Sequence, residues 1–195
     1  AQAAQAKFSE MRVRYGVDEP TAAYCQIPIF TLPKPNTDAR RVLFDNSANN
    51  CVNMEHHGIQ LATVNERVTF VRDAQILSSL DLASFFTAVR LHPDVRDFWC
   101  YRNGPHHRLR TTRMVQGNSE SPAITQAFLE HVLNEIKELW GKLLIYIDNV
   151  YLKSTTGDMD EHIQDLGHVV AALDKYNLLL NLDKSMLCGT HQVDV

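Results

Sequence analysis

The chain has 195 residues, 45% of them apolar, with a formal net charge of −4 and a sequence pI near 6.1. That length suits one ordinary domain, or one with a small satellite, and the composition builds a real core. The mild acidity argues against a protein that coats nucleic acid indiscriminately. No run approaches 18 apolar residues, and AQAAQAKFSEMRVRYG lacks a basic-then-apolar leader pattern, so neither a membrane span nor secretion is expected and the expected compartment is intracellular.

In chain order, Ala4 to Arg14 can form a helix stopped near Gly16, and IPIFTL and VLFD read as strands around a polar, proline-containing turn. Residues 51 to 75 fit no single template. ILSSLDLASFFTAVRL runs an apolar strand into Asp81 and continues as a short helix. FWCYR, Asn103-Gly104 and HHRLRTTRM read as a hairpin, because Asn-Gly accepts the positive φ of such turns. Ser121-Pro122 starts a helix as hydroxyl cap and first-turn proline. That helix is expected to reach Trp140 and to bury Ile124, Phe128, Val132, Ile136 and Trp140. KLLIYID and VYLKS then flank a hairpin with Asp148 and Asn149 at its tip. A further helix, about Asp160 to Tyr176, is expected to turn Ile163, Leu166, Val170 and Leu173 inward, and LLLNL to form the last strand. The whole predicts an α+β fold with an antiparallel sheet backed by helices.

The four cysteines, Cys25, Cys51, Cys100 and Cys188, form no CxxC pair and are expected to be buried thiols. Adjacent histidines, His56-His57 and His106-His107, diverge on any regular element and read as surface residues rather than zinc ligands. The arginines at 12 and 14, at 40 and 41, and at 108, 110 and 113 are basic clusters that folding could gather along one groove.

Asp81 and Asp148 each follow an apolar strand, where a sheet exposes its strand ends. Either can be read in two ways: Asp81 as helix cap or site carboxylate, Asp148-Asn149 as turn chemistry or metal ligand. SLDLASFF, RMVQGNSESPAITQ, YIDN and LNLDKS occur in the order of the reverse transcriptase motifs of LTR retrotransposons and retroviruses, and the chain resembles that family's fingers and palm. GVDEPTAAYCQIPIFTLPKP, RRVLFDNSANN and LHPDVR resemble family segments too, so the likeness covers nearly the whole chain.

The resemblance implies a right-hand polymerase, with fingers over about 1–75 and part of 98–118 and palm over the remainder. The chain stops at QVDV, where the family's primer grip, thumb and RNase H would begin, so thumb and RNase H are expected to be absent. The implied activity is RNA-directed DNA synthesis with two Mg2+ ions, or Mn2+, held by Asp81 and Asp148. By the same resemblance Lys34 and Arg41 hold the triphosphate, Gln116 and Gly117 lie against nucleotide and template, Phe86 excludes a ribose 2′ hydroxyl, and Lys184 supplies a proton near pyrophosphate. The implied partners are an RNA or DNA template–primer and deoxynucleoside triphosphates, with a homodimer or the rest of a Pol polyprotein as assemblies and virus-like particle or cytoplasm as location. A nuclear location goes with a host-adopted copy.

Three positions depart from the family. Asn149 stands where a second aspartate is usual, Phe85 where a small residue is usual, and Ser47 where an arginine is common. Asn149 offers an oxygen but no charge, so metal binding is expected to weaken. These departures keep a second reading open, a non-catalytic nucleic-acid-binding or scaffold protein with a polymerase fold, either an inactive subunit or a host-adopted copy.

Overall fold

A computed structural model describes residues 12–14, 16–24, 27–33, 40–52, 60–102 and 108–190, apart from the side chains of 40–42 and 52. Two compact units divide the chain, Ala1–His56 with Phe86–Ser121, and His57–Phe85 with Pro122–Val195.

In the first unit β1 (Asp18–Pro20) pairs with β6 (Arg108–Thr111), which pairs with β5 (Cys100–Arg102). Beside these, β2 (Ile29–Pro33) and β3 (Arg40–Phe44) make the expected antiparallel pair, in register Ile29 with Phe44. A short helix, α1 (Ser47–Val52), follows. Ile27, Phe44, Tyr101, Leu109 and Val115 form this unit's core. Asp18 is buried there and accepts two hydrogen bonds from Arg12, at 2.7 and 2.8 Å, and one from the Tyr101 hydroxyl. A buried carboxylate needs such partners, because its desolvation is otherwise prohibitive. Arg12 and Arg110, the latter bonded to Glu19 and Asp97, are therefore engaged inside the unit.

The second unit is built on a four-stranded antiparallel sheet in the order β7 (Leu143–Tyr146), β8 (Asn149–Ser154), β4 (Ile76–Asp81), β9 (Met186–Thr190). Strand neighbours project to a common face, so the β4–β8 register puts Ile76, Ser78, Leu80, Val150, Leu152 and Ser154 on one side. All six are buried. The opposite face carries Leu77, Ser79 and Asp81 with Asn149, Tyr151 and Lys153. The helix α2 (Val64–Arg72) covers part of that face, lining with Leu77, Leu144, Tyr151 and Met186 a groove of about 650 Å³. Its start is a capping box: Thr63 Oγ1 accepts from the Glu66 N–H at 3.2 Å and Glu66 accepts from the Thr63 N–H at 2.7 Å.

Several expectations about helices are corrected. The helix from Ser121 is α3 (Ser121–Leu133), not a run to Trp140; residues Asn134–Lys142 continue as 3-10 turns interrupted at Ile136. Leu129, Val132 and Leu133 are fully buried, whereas Ile124 and Trp140 are exposed. The cause is geometric. Residues at i+4 precess by about 40° per step, so positions sixteen apart cannot share a face. The Ser121 hydroxyl donates to the Val115 carbonyl at 3.0 Å.

The last helix, α4 (Met159–Lys175), is close to its expected range, but its inner face is shifted by one residue. His162, Asp165, Val169, Ala172 and Leu173 are buried, while Ile163 and Val170 face out. Partners inside make this phase affordable. His162 Nε2 lies 2.8 Å from Ser78 Oγ, and Asp165 accepts from Lys142 at 2.6 Å.

LLLNL is not a strand. It makes one isolated bridge, Leu82 with Leu180, and the final strand is β9, bulged against β4 with Cys188 at φ 53°. The helix expected over Ala4 to Arg14 is helical at residues 12–14, and its other positions, 4–11, lie outside the described residues, as do residues 103–107 and both histidine pairs. Of the cysteines Cys100 is buried, but Cys188 is half-buried and Cys51 exposed, a correction of the expected burial; Cys25 is not among the described residues. None of the described helices is long and apolar enough to cross a membrane.

Candidate active site

Asp81 ends β4 and opposes Asn149, the first residue of β8, which in turn opposes Tyr146, the last residue of β7. These three side chains therefore form a row on one face at one end of the sheet. Asp148 immediately precedes the row, and its carbonyl accepts the N–H of Leu82 at 3.0 Å. Both carboxylates thus sit at the same strand ends.

The hairpin tip differs from the expected one. Tyr146 pairs with Asn149, so the two loop residues are Ile147 and Asp148, and Asn149 already belongs to the strand. Ile147 has φ 57°, which places positive φ at the first loop position, as in type II′ turns. A β-branched residue rarely adopts that conformation, so the surroundings must impose it. Gln126 of α3 does so: its Oε1 accepts the Ile147 N–H at 2.9 Å, while its Nε2 donates to Glu130 at 2.8 Å and to the Ile145 carbonyl at 3.4 Å.

A second clamp holds Asp81. Its N–H donates to Ser185 Oγ at 3.0 Å and its carbonyl accepts from the Asn181 N–H at 2.8 Å. Lys184 is exposed in the same turn, one residue before Ser185. The segment read as a strand is thus a brace for the site. Asn149 Nδ2 donates to Asp148 Oδ1 at 3.0 Å, which fixes the amide with its uncharged oxygen still available.

Oxygen donors from Asp81, Asp148 and Asn149 fit a hard divalent cation, with two formal charges. Among the described residues no cluster of three His, Cys, Asp or Glu side chains could hold one. The donor set is therefore smaller in charge than a triad of carboxylates.

The other expected residues belong to the first unit or lie outside the described residues. Gln116 and Gly117 form an exposed turn; Gly117 has φ +111°, and a Cβ there would stand 2.4 Å from the Phe44 carbonyl oxygen, so only glycine fits. Its carbonyl accepts from Asn50 Nδ2 at 3.1 Å. Arg41 lies in β3 opposite Leu32. Lys34 lies outside the described residues. Phe86 is half-buried in the 3-10 turn Phe85–Ala88, whereas Phe85 is 2% exposed and stacks on Phe128 with centroids 6.2 Å apart. Phe85 is thus a core residue.

Sequence reasoning missed Gln126, Ser185 and Arg67, whose guanidinium lies 4.4 Å from the Tyr146 ring centroid. Only Gln126 left a signal, a polar residue next to the apolar face of its helix.

An antiparallel sheet backed by helices, with carboxylates at its strand ends, is the architecture of a right-hand polymerase palm. The family model for reverse transcriptase (RNA-dependent DNA polymerase) matches residues 31–195. Curated relatives include the retrovirus-related Pol polyprotein from transposon opus of Drosophila melanogaster, 29% identical over 182 residues, 90% of this chain and 17% of that protein. Another is the transposon Tf2-7 polyprotein of Schizosaccharomyces pombe, 26% identical over 192 residues, 94% of this chain and 13% of that protein. Among solved structures, the prototype foamy virus protease–reverse transcriptase aligns with TM-score 0.79 and 24% identity, over 92% of this chain and 23% of that one. A foamy viral protease–reverse transcriptase in complex with dsDNA aligns with TM-score 0.80 and 22% identity, over 93% and 36%. The chain belongs to the reverse transcriptase family. It spans less than a fifth of either polyprotein.

Proposed function

We propose that this chain is the fingers and palm of an RNA-directed DNA polymerase from a retroelement, with turnover lowered by Asn149. The observation that carries the reading is the row Tyr146, Asn149, Asp81, with Asp148 beside it and both backbone groups of Asp81 braced. The relatives are retroelement polyproteins, and solved relatives hold dsDNA or an RNA/DNA hybrid. In this reading the fingers take about residues 1–75 and part of 98–118, the palm takes the rest, and the protein works inside the cell or in a particle.

In the reaction the primer 3′ hydroxyl loses its proton to solvent water and its oxygen bonds to the α-phosphorus of a deoxynucleoside triphosphate, while the bond to pyrophosphate breaks. Reverse transcriptases generally use divalent metals, and here Asp81 and Asp148 would hold two Mg2+ or Mn2+ ions, with the Asn149 oxygen as a neutral donor. Bound there, such ions would lower the pKa of the attacking hydroxyl and offset charge on the leaving oxygen. Lys34 and Arg41 would supply cationic N–H donors to the triphosphate. Gln116 and Gly117 lie against nucleotide and template, Phe86 closes the space of a 2′ hydroxyl, and Lys184 gives its proton to pyrophosphate.

One observation favours a second reading: Asn149 spends an N–H on Asp148, so the site has two charges and an internal hydrogen bond. A protein that binds template–primer without extending it would tolerate that arrangement. Primer extension with magnesium or manganese, run beside a binding assay, separates the two. Extension abolished by Asp81→Asn supports the polymerase, and tight binding with no extension in either metal supports the scaffold.

A further inference from the structure

Arg67 lies on α2, one turn beyond its N-cap Thr63. Its guanidinium stacks over Tyr146, 4.4 Å from the ring centroid. Tyr146 heads the row that continues through Asn149 to Asp81, so the cation sits on the face that carries Asp81, about two strand spacings, roughly 10 Å, away.

The group is built but unfinished. Arg67 is half-buried, its Nε is buried without a hydrogen-bond partner, and no carboxylate among the described residues pairs with it. Elsewhere in this unit Lys142 is paired with Glu161 and Asp165, and Lys175 with Glu135. A buried donor left without an acceptor is costly, and native proteins keep few of them. Stacking on an aromatic ring fixes the plane of a guanidinium while leaving its edge donors free, the arrangement suited to a phosphate.

Resting on the polymerase reading, we propose that Arg67 contacts a backbone phosphate of the template–primer beside the carboxylate row, with Tyr146 as its platform. Asn149 is consistent with this arrangement. An aspartate there would compete for the guanidinium, whereas the amide leaves it to the ligand. Lys153 provides an internal comparison: it is on the same face, stacked on Phe70 at 4.6 Å, but four residues along β8 from Asn149, roughly 13 Å distant.

The test is fluorescence anisotropy of a labelled DNA template–primer duplex titrated with this chain in EDTA, across about 50 to 200 mM salt. Arg67→Gln is expected to weaken binding several-fold at every sequence and to reduce the slope of log affinity against log salt by about one. Arg67→Lys keeps the charge and retains the slope. Lys153→Gln removes an equal charge and leaves the slope at its native value. Native affinity and slope in Arg67→Gln would overturn the contact, as would equal losses in Arg67→Gln and Lys153→Gln. Absence of binding by the native chain would overturn the polymerase reading and the contact together, so the two failures are distinct.

Discussion

The side-chain oxygen of Gln126 accepts the N–H of Ile147 at 2.9 Å, so a residue of α3 holds the strained turn that presents Asp148. The strain of such a backbone is about 1–3 kcal/mol, and it persists only where neighbours over-determine it. Gln126→Leu removes the acceptor and is expected to lower unfolding stability in urea by about 1 kcal/mol and to slow primer extension at least tenfold. Adding Ile147→Gly, which accepts positive φ freely, should recover part of the stability. Unchanged extension in Gln126→Leu would show that the turn holds itself.

Phe85 and Phe86 are adjacent but differ in surroundings, the first buried against Phe128 and the second half-buried. Replacing Phe86 by valine should raise ribonucleotide incorporation relative to deoxynucleotide by about tenfold or more, with thermal stability near native. Phe85→Val should instead cost about 2 kcal/mol of stability. Unaltered sugar selectivity in Phe86→Val would remove Phe86 from the site.

His162 is fully buried, with Nε2 on Ser78 Oγ and Nδ1 without a partner, and burial pushes its pKa below the ordinary histidine value. Nearby Asp165 pulls the other way and Lys142 adds to the lowering. Protonation therefore favours the unfolded chain. The stability contributed by neutral His162 is fully present above the unfolded-state pKa of about 6.5 and is lost as pH falls through the lower folded value. His162→Gln cannot take up that proton, so its melting temperature should fall less between about pH 7 and about pH 5 than the native protein's. Parallel decreases in both would assign the acid sensitivity to other groups.

The strand-end positions of Asp81 and Asp148 were legible from the apolar runs that precede them, and the paired strands from the same signal. Partner-dependent features were not. The inner face of α4 begins with His162 and Asp165, which read as surface residues until Ser78 and Lys142 are seen opposite them. LLLNL has a strand's composition, yet its backbone groups are committed to Asp81 and Ala83. The hairpin tip moved by one residue because register is set by the Tyr146–Asn149 pair and by Gln126, neither of which local turn preference records. The start of α2 is encoded locally, in the capping-box pattern Thr63-Val64-Asn65-Glu66.

Asn46 is 2% exposed, and neither polar atom of its side chain has a partner. Leucine has nearly its shape and nothing to desolvate, so Asn46→Leu should raise unfolding stability by about 1 kcal/mol in urea titration. A decrease would mean that ordered water completes those hydrogen bonds.

In the proposed polymerase, Asp81 and Asp148 carry nucleotidyl transfer in a site weakened by the amide of Asn149. Loss of one anion from a two-metal site costs several kcal/mol of transition-state stabilisation, or orders of magnitude in rate. Asparagine keeps the shape of aspartate, so folding should not change with this residue. The most direct measurement is single-nucleotide incorporation onto a labelled primer with magnesium, comparing the native protein, Asn149→Asp and Asp81→Asn side by side. The expected result is slow incorporation by the native protein, at least tenfold faster incorporation by Asn149→Asp, and none by Asp81→Asn. Equal rates in the native protein and Asp81→Asn would contradict the account.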